Sequence, residues 1–378
     1  MPWQEVSAMS QRREFVMLAG QAGANVRELC RRFRISPTTG YKWLERAADP
    51  TERFDDRSRV PLHQPGRTSA RIEAAILKVR DRHPVWGGRK IRRRLVNLGH
   101  DAVPSASTIT AVLKRHGRID LEKTAEQGPW QRFERQTPNE LWQMDFKGHF
   151  AMVTGRCHPL TVLDDCSRFS LGLEACANEV GATVETKLTS IFRRYGLPAS
   201  MLTDNGFPWG GWDRGSGQII YTALAVWLIR LGVELGHGRP YHPQTQGKDE
   251  RFHRTLKAEV IDRQGFVDIK HCQAVFDDWR LIYNCERPHE AIALDVPAKR
   301  YQASNRSFPE QLPVITYGDS LVRRVQGKGE ISFRGREWAV GKAFAGLQVA
   351  LRPLTDDGRF DVVFCHQRIT TIDLRDPS

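Results

Sequence analysis

The sequence predicts a multidomain chain of α and α/β parts: tandem helix-turn-helix modules in front, an α/β sheet domain behind them, and a small β domain at the end. Three observations lead there. Through the first third, apolar residues recur at helical spacing between short Gly and Ser-Pro breaks. From Leu141 the apolar period shortens to two, as in a half-buried strand. After about Ile315 the chain falls into short alternating runs separated by glycine and charge.

A chain of 378 residues accommodates roughly two to four domains. The boundaries expected are 1–48 and 67–118 for the two helix-turn-helix modules, 49–66 and 119–137 for linkers, 138–305 for the α/β core and 306–378 for the β domain. Charge is uneven across them. Residues 1–135 hold 27 Lys+Arg and 15 Asp+Glu, a net +12, which leaves +1 for the remainder. Such a front third suits a polyanion; a solvated basic surface is the competing reading.

In the first module Val26, Leu29 and Phe33 keep helical spacing, Arg34-Ile35 interrupts, and Ser36-Pro37 supplies an N-cap with proline at the first helical position. A second helix, TTGYKWLERA, follows at once. In a helix-turn-helix the later helix enters the major groove with its early residues at base edges. Thr38, Thr39, Tyr41 and Lys42 are therefore the candidate DNA contacts. An ordinary helical hairpin shares the same pattern.

The pattern recurs. Ile72, Ile76 and Val79 mark one helix, Ile91, Leu95 and Leu98 a second after the WGGRK break, and Ser105 caps a third carrying Ile109, Val112 and Leu113. Arg89, Lys90, Arg92, Arg93 and Arg94 crowd the middle helix as candidate DNA contacts, or as a solvated charge run. The Pro-, Arg- and Asp-rich stretch 49–66 reads as a tether, and tethering two modules raises their effective concentration on a longer site.

In the core, Trp142, Met144 and Phe146 alternate with Gln143, Asp145 and Lys147, so Asp145 faces away from the aromatic side. HPLTVLDDCSRFSLGLEA reads as two more strands joined by a turn. A helix over 180–195 and a strand over 199–203 follow, which puts Asp204 at a strand end before the turn residues Asn205-Gly206. Strand ends are where open α/β sheets present ligand groups. Taking GKDERFHRTLKAEVID as a helix, Phe252, Leu256 and Val260 form the buried stripe. Glu250 then lies roughly 120° away, beside Arg254 and Lys257. Asp249 falls in the stripe's own sector near the helix start, where a cap or dipole role is expected.

Seven cysteines without a CxxC pair exclude a zinc knuckle and a disulfide framework from the expectations. Polar residues after Met1 give no signal-peptide pattern, and the apolar run 219–229 is too short for a bilayer. The expected setting is reduced and cytoplasmic, with no membrane partner.

WQMDF, TDNG, and YHPQTQGKDERFHRTL followed by YNCERPHEAI resemble the catalytic core of insertion-sequence transposases, itself similar to that of retroviral integrases. The resemblance covers roughly residues 138–300. It implies a ribonuclease-H-like α/β core with a mixed five-stranded sheet, and at the C-terminal end a small SH3-like β-barrel with Arg323, Arg324, Lys328, Arg334 and Arg336 facing DNA or a subunit. It maps the family's catalytic and metal-binding acids onto Asp145, Asp204 and Glu250, with two Mg²⁺ ions per site and Mn²⁺ able to substitute. Tyr241, His242 and Gln244 match the stretch leading into the Glu helix. With Lys248, Arg254 and Lys257 they complete the expected DNA contacts.

One departure stands out: the family leaves about 35 residues between its second Asp and its Glu, against 45 here, an excess that a surface loop absorbs at modest cost. It falls in GFPWGGWDRGSGQ, whose Trp209, Trp212 or Arg214 can reach DNA. Asp164 and Asp165, in LDDCSRF, match a recurrent motif outside the triad. The implied chemistry is hydrolysis freeing a 3′-hydroxyl at an element end, then attack of that hydroxyl on target DNA. Double-stranded DNA and a homo-oligomer, at least a dimer on DNA, are the implied partners. A DNA-binding regulator without chemistry and a metal-dependent endonuclease are the alternatives. The first has no use for three clustered acids, and the second leaves the tandem modules unexplained.

Overall fold

In the computed structural model of the chain the described residues are 8–51, 54–56, 67–119, 134–212, 219–237, 247–355 and 358–375. They fall into two compact units, Met1–Arg67 and Thr68–Ser378.

The first unit is three helices, α1 (Ala8–Ala19), α2 (Val26–Arg32) and α3 (Pro37–Ala47), around Phe15, Cys30 and Trp43. The Ser36 side chain accepts from the Thr39 amide at 3.1 Å, so the cap read from Ser-Pro starts α3. Gly40 is a close-approach position: a Cβ there would lie 2.5 Å from Cys30 Sγ and 2.9 Å from Phe15 Cζ. α1 was not expected from the sequence. It buries only Phe15, too thin a stripe to announce a helix.

The second unit opens with α4 (Ala70–Arg82), α5 (Gly88–Asn97) and α6 (Ala106–Arg115), packed through Ile76, Trp86, Ile91, Leu95, Ile109 and Leu113. Gly88 lets α5 meet α6, since a Cβ there would stand 2.4 Å from the Ala106 carbonyl oxygen.

The central sheet contains β1 (Leu141–Phe146), β2 (Phe150–Ala151), β3 (Arg156–Asp164), β4 (Ser170–Cys176), β5 (Ser200–Thr203) and, further along the chain, β8 (Glu234–His237). Its order is β4-β3-β1-β5-β8, with the two-residue β2 paired to the start of β3. β4, β3 and β1 run antiparallel, whereas β1/β5 and β5/β8 are parallel, so the sheet is mixed. α7 (Gly181–Tyr195) and α8 (Ala223–Arg230) cover one face, with Val184, Leu188, Phe192 and Ile229 on Trp142, Met144 and Val162. α9 (Gly247–Glu259) and α10 (Ile269–Cys285) cover the other, with Phe252, Leu256 and Phe276 on Cys157, Leu163 and Leu173. Edge strand β4 is closed by α10 side chains: Asn284 and Gln273 bond its backbone at Ser170, Leu173 and Ala175. Between β5 and α8 stands a hairpin of β6 (Gly210–Trp212) and β7 (Ile219–Tyr221).

The C-terminal strands are β9 (Leu321–Arg324), β10 (Glu330–Phe333), β11 (Arg336–Ala339), β12 (Gln348–Pro353), β13 (Arg359–Phe364) and β14 (Gln367–Asp373). Here the expected SH3-like barrel is corrected. The described residues form an open antiparallel sheet, β14-β13-β12-β9, beside a separate β10-β11 hairpin. Closure is not needed to hide the apolar face, because the core does it. Val349, Leu351, Val362 and Phe364 join one cluster with Tyr221, Leu224 and Leu228, and Phe344 meets Tyr221 at 5.2 Å.

Candidate active site

Strand register brings the first two acids together. β1 pairs β5 in parallel with Gln143 opposite Leu202. Continued by two residues, that register sets Asp145 of β1 level with Asp204, the residue after β5, on one face. That is the α9 face, because Asp145 also stands opposite Thr161 of β3, and Thr161 bonds His253 of α9 at 2.9 Å. Glu250 sits one turn before His253 on the same helix.

The electrostatics report the same convergence. Burial and the neighbouring Asp204, with Glu179 and Glu250 behind it, push the Asp145 carboxyl up to about 7. Burial and Glu179 raise Asp204. The Asp204 Oδ1 atom is buried with no hydrogen-bond partner. His253 is held neutral, near 4, by burial and Lys147. Thr161 Oγ1 donates to the Asp145 carbonyl at 3.0 Å, so His253 Nε2 must donate to that hydroxyl. The other ring nitrogen, a bare acceptor, then faces Asp145 Oδ2 at 4.0 Å. Among the described residues no cation is paired with Asp145, Asp204 or Glu250, and an all-carboxylate donor set with an orphaned oxygen suits a hard divalent cation. Glu250 itself is exposed, and among the described residues no three His, Cys, Asp or Glu side chains stand close enough to hold an ion unaided.

Several side chains that set this geometry were not legible in the sequence. Asp165 accepts from Gln143 of β1 at 2.7 Å and pairs with Lys248, so one buried carboxylate ties the start of α9 to the strand carrying Asp145. Lys248, expected at DNA, is occupied there. Asp164 is equally structural, accepting from the Ser167 amide and hydroxyl and the Asn139 amide. Asp249 corrects the cap reading: it is 1% exposed, both its oxygens lack a partner, and burial followed by Asp145 raises its carboxyl well above the usual range. It turns inward because it shares the sector of Phe252. Trp209, expected at DNA, is also buried, stacked on Phe146 at 5.6 Å; Trp212 stays exposed.

Models of known families match in order along the chain. A homeodomain-like domain matches residues 39–113, the integrase core domain matches 135–243 and, in a second model, 231–297, and the C-terminal domain of IS481 family transposases matches 320–378. Part by part, the chain is therefore similar to insertion-sequence transposases and to the integrase core. An uncharacterized protein of insertion element IS476 from Xanthomonas euvesicatoria is 28% identical over 46% of this chain and 48% of its own length. One of insertion element IS407 from Burkholderia multivorans is 27% identical over 45% and 57%. The chain thus spans about half the length of these curated relatives. Among solved structures, a chain of a simian T-cell lymphotropic virus intasome in complex with PP2A regulatory subunit B56 gamma is similar at 14% identity, covering 76% of this chain and 91% of that one, with a TM-score of 0.39.

The remaining expected DNA contacts divide by exposure. Thr38, Tyr41 and Lys42 are exposed at the start of α3, and Thr39 is half-buried against Ser36. Arg254 and Lys257 are exposed on α9. Tyr241, His242, Gln244 and Arg214 lie outside the described residues. On α5, Arg92 is exposed and Arg89, also exposed, lies 3.9 Å from Glu290, whereas Arg93 bonds Asp295 at 2.5 Å and Arg94 bonds Glu286 at 2.7 Å. Burial and Arg287 lower Lys90 to about 8. Half of the arginine-rich helix is therefore spent on docking the second module to the segment after α10. The exposed side chains of α6 include Ser107, Thr108, Ala111 and Lys114.

Proposed function

We propose that the chain cuts DNA at the ends of a mobile element and joins the freed 3′-hydroxyl to target DNA, with two Mg²⁺ ions held by Asp145, Asp204 and Glu250. The observation that carries this reading is the parallel β1/β5 register, which continued by two residues sets Asp145 beside Asp204, where burial and then the charge of Asp204 lift Asp145 to about 7. Glu250 completes the set by a side-chain swing from the first turn of α9. The ions, when bound, neutralise the acids, ease loss of a proton from water, and steady the entering and leaving oxygens. Mn²⁺ would serve in their place.

The chain's own groups bind and orient. Thr161 and neutral His253 hold Asp145 from behind, and Asp165 with Lys248 fixes the start of α9. Arg254 and Lys257 offer cations to the phosphates on either side of the reacting one. α3 supplies grip on DNA, with Thr38, Tyr41 and Lys42 foremost. In the second module that task passes to Arg92 with the exposed face of α6, and to Arg89, whose 3.9 Å pair with Glu290 is exposed, since Arg93 and Arg94 are engaged at hydrogen-bond distance. Joining two ends requires at least a dimer assembled on DNA.

Labelled element ends incubated with target DNA and Mg²⁺ test this. Joined products are expected, and Glu250→Gln should abolish them while leaving end binding nearly intact. Cutting without joining, or binding alone, would overturn the reading.

A further inference from the structure

The hairpin after Asp204 is built for something the acid pocket does not explain. Phe207 is 73% exposed and Trp212 is 42% exposed, an arrangement that folding does not reward, since large aromatics stabilise by burial. Their support is rigid. Trp209 beneath them is buried and stacks on Phe146, the residue after Asp145. Thr222 Oγ1 bonds the Pro208 carbonyl at 2.8 Å. The Trp212 amide donates to Asn205 Oδ1 at 3.1 Å, which ties the exposed indole's backbone to the residue beside Asp204.

Two glycines make this packing available. A Cβ at Gly210 would stand 2.2 Å from the Ile220 carbonyl oxygen, and one at Gly211 2.5 Å from Asn205 Oδ1, both at positive φ. The stretch 205–212 contains no charged side chain. It cannot grip phosphate by charge, and what it offers is two exposed aromatic rings within eight residues of Asp204.

Resting on the function proposed above, we infer that Phe207 and Trp212 form a stacking site for a nucleobase unpaired from the duplex, next to the phosphate held at the acids. The occupant follows from continuity: a strand whose phosphate lies at Asp204 carries its bases past this hairpin. Aromatic side chains accept any base face without reading sequence. By holding an extruded base the hairpin would favour melted or branched DNA over intact duplex.

The test is binding in Ca²⁺, a hard divalent cation that neutralises the acids, to two oligonucleotide duplexes, blunt or with a splayed end carrying 2-aminopurine at the first unpaired position. The wild-type protein should prefer the splayed end by about tenfold, the effect expected of one base stacked on an aromatic side chain, and binding should quench the 2-aminopurine. The Phe207→Ala, Trp212→Ala pair should lose both the preference and the quenching, whereas Phe207→Tyr with Trp212→Tyr should keep them. Equal affinity of the wild type for both duplexes, or a preference that survives the alanine pair, would overturn the site. Because affinity and quenching are read on DNA that stays uncut, these outcomes are separate from the cutting assay. A protein that stacks bases but never cuts with Mg²⁺ sinks the function proposed above and leaves the stacking site, while one that cuts without preference sinks the stacking site alone.

Discussion

Replacing Asp145 by asparagine should stabilise the metal-free protein, and increasingly so as pH rises. Asp145 moves from 3.8 to about 7 on folding, through burial and its acidic neighbours. Below 3.8 it is protonated in both states and contributes nothing to the pH dependence. Between 3.8 and about 7 the unfolded chain gives up the proton while the folded chain keeps it, so stability falls as pH rises, and above about 7 the loss is complete. At 1.36 kcal/mol per pKa unit the full loss is about 4 kcal/mol, of which about 3 falls between pH 5 and pH 8. This is a ceiling, because water entering an ionised pocket relaxes it. The assay is urea unfolding in EDTA at about pH 5 and pH 8, for wild type and Asp145→Asn. The variant's advantage should grow with pH by one to three kcal/mol, roughly, and Mg²⁺ should stabilise only the wild type. A variant less stable than wild type at pH 8, or an advantage that does not change with pH, would refute the picture of crowded, unneutralised acids.

Other perturbations follow from the same structure. Lys248→Met strands the fully buried Asp165 carboxylate and should cost about 3–5 kcal/mol in chemical denaturation; Asp165→Asn added to it should recover part of that. Trp209→Ala removes the anchor under the hairpin and should cost a similar 3–5 kcal/mol, roughly, with faster hydrogen exchange confined to residues near Phe146. A double-mutant cycle of Arg94→Ala and Glu286→Ala should give a coupling of about 1 kcal/mol that shrinks at high salt. A salt-independent coupling would count against the ion-pair seam.

What the sequence made legible was local. Ser36 and Ser105 announced α3 and α6 because an N-cap acts within three residues, and the alternation around Asp145 announced β1 and the face it shares with Gln143. Asp204 was placed at its strand end because the NG turn follows it directly. Partnerships across long stretches of chain were not legible. Nothing near Arg93 or Arg94 foretells that Asp295 and Glu286, some 200 positions on, will neutralise them. Asp249 was misread because a carboxylate in a helix's first turn is ordinarily a cap, and only tertiary packing turns it under the sheet. The C-terminal strands were visible, but whether they close on themselves or lean on α8 depends on a neighbour their own pattern does not encode.

The most direct test of the central claim is anomalous diffraction from crystals soaked in Mn²⁺. The account predicts two peaks in the acid pocket, with Asp145, Asp204 and Glu250 each contributing an oxygen. Ions held by Asp249 or Asp165 while Glu250 stays in solvent would contradict it.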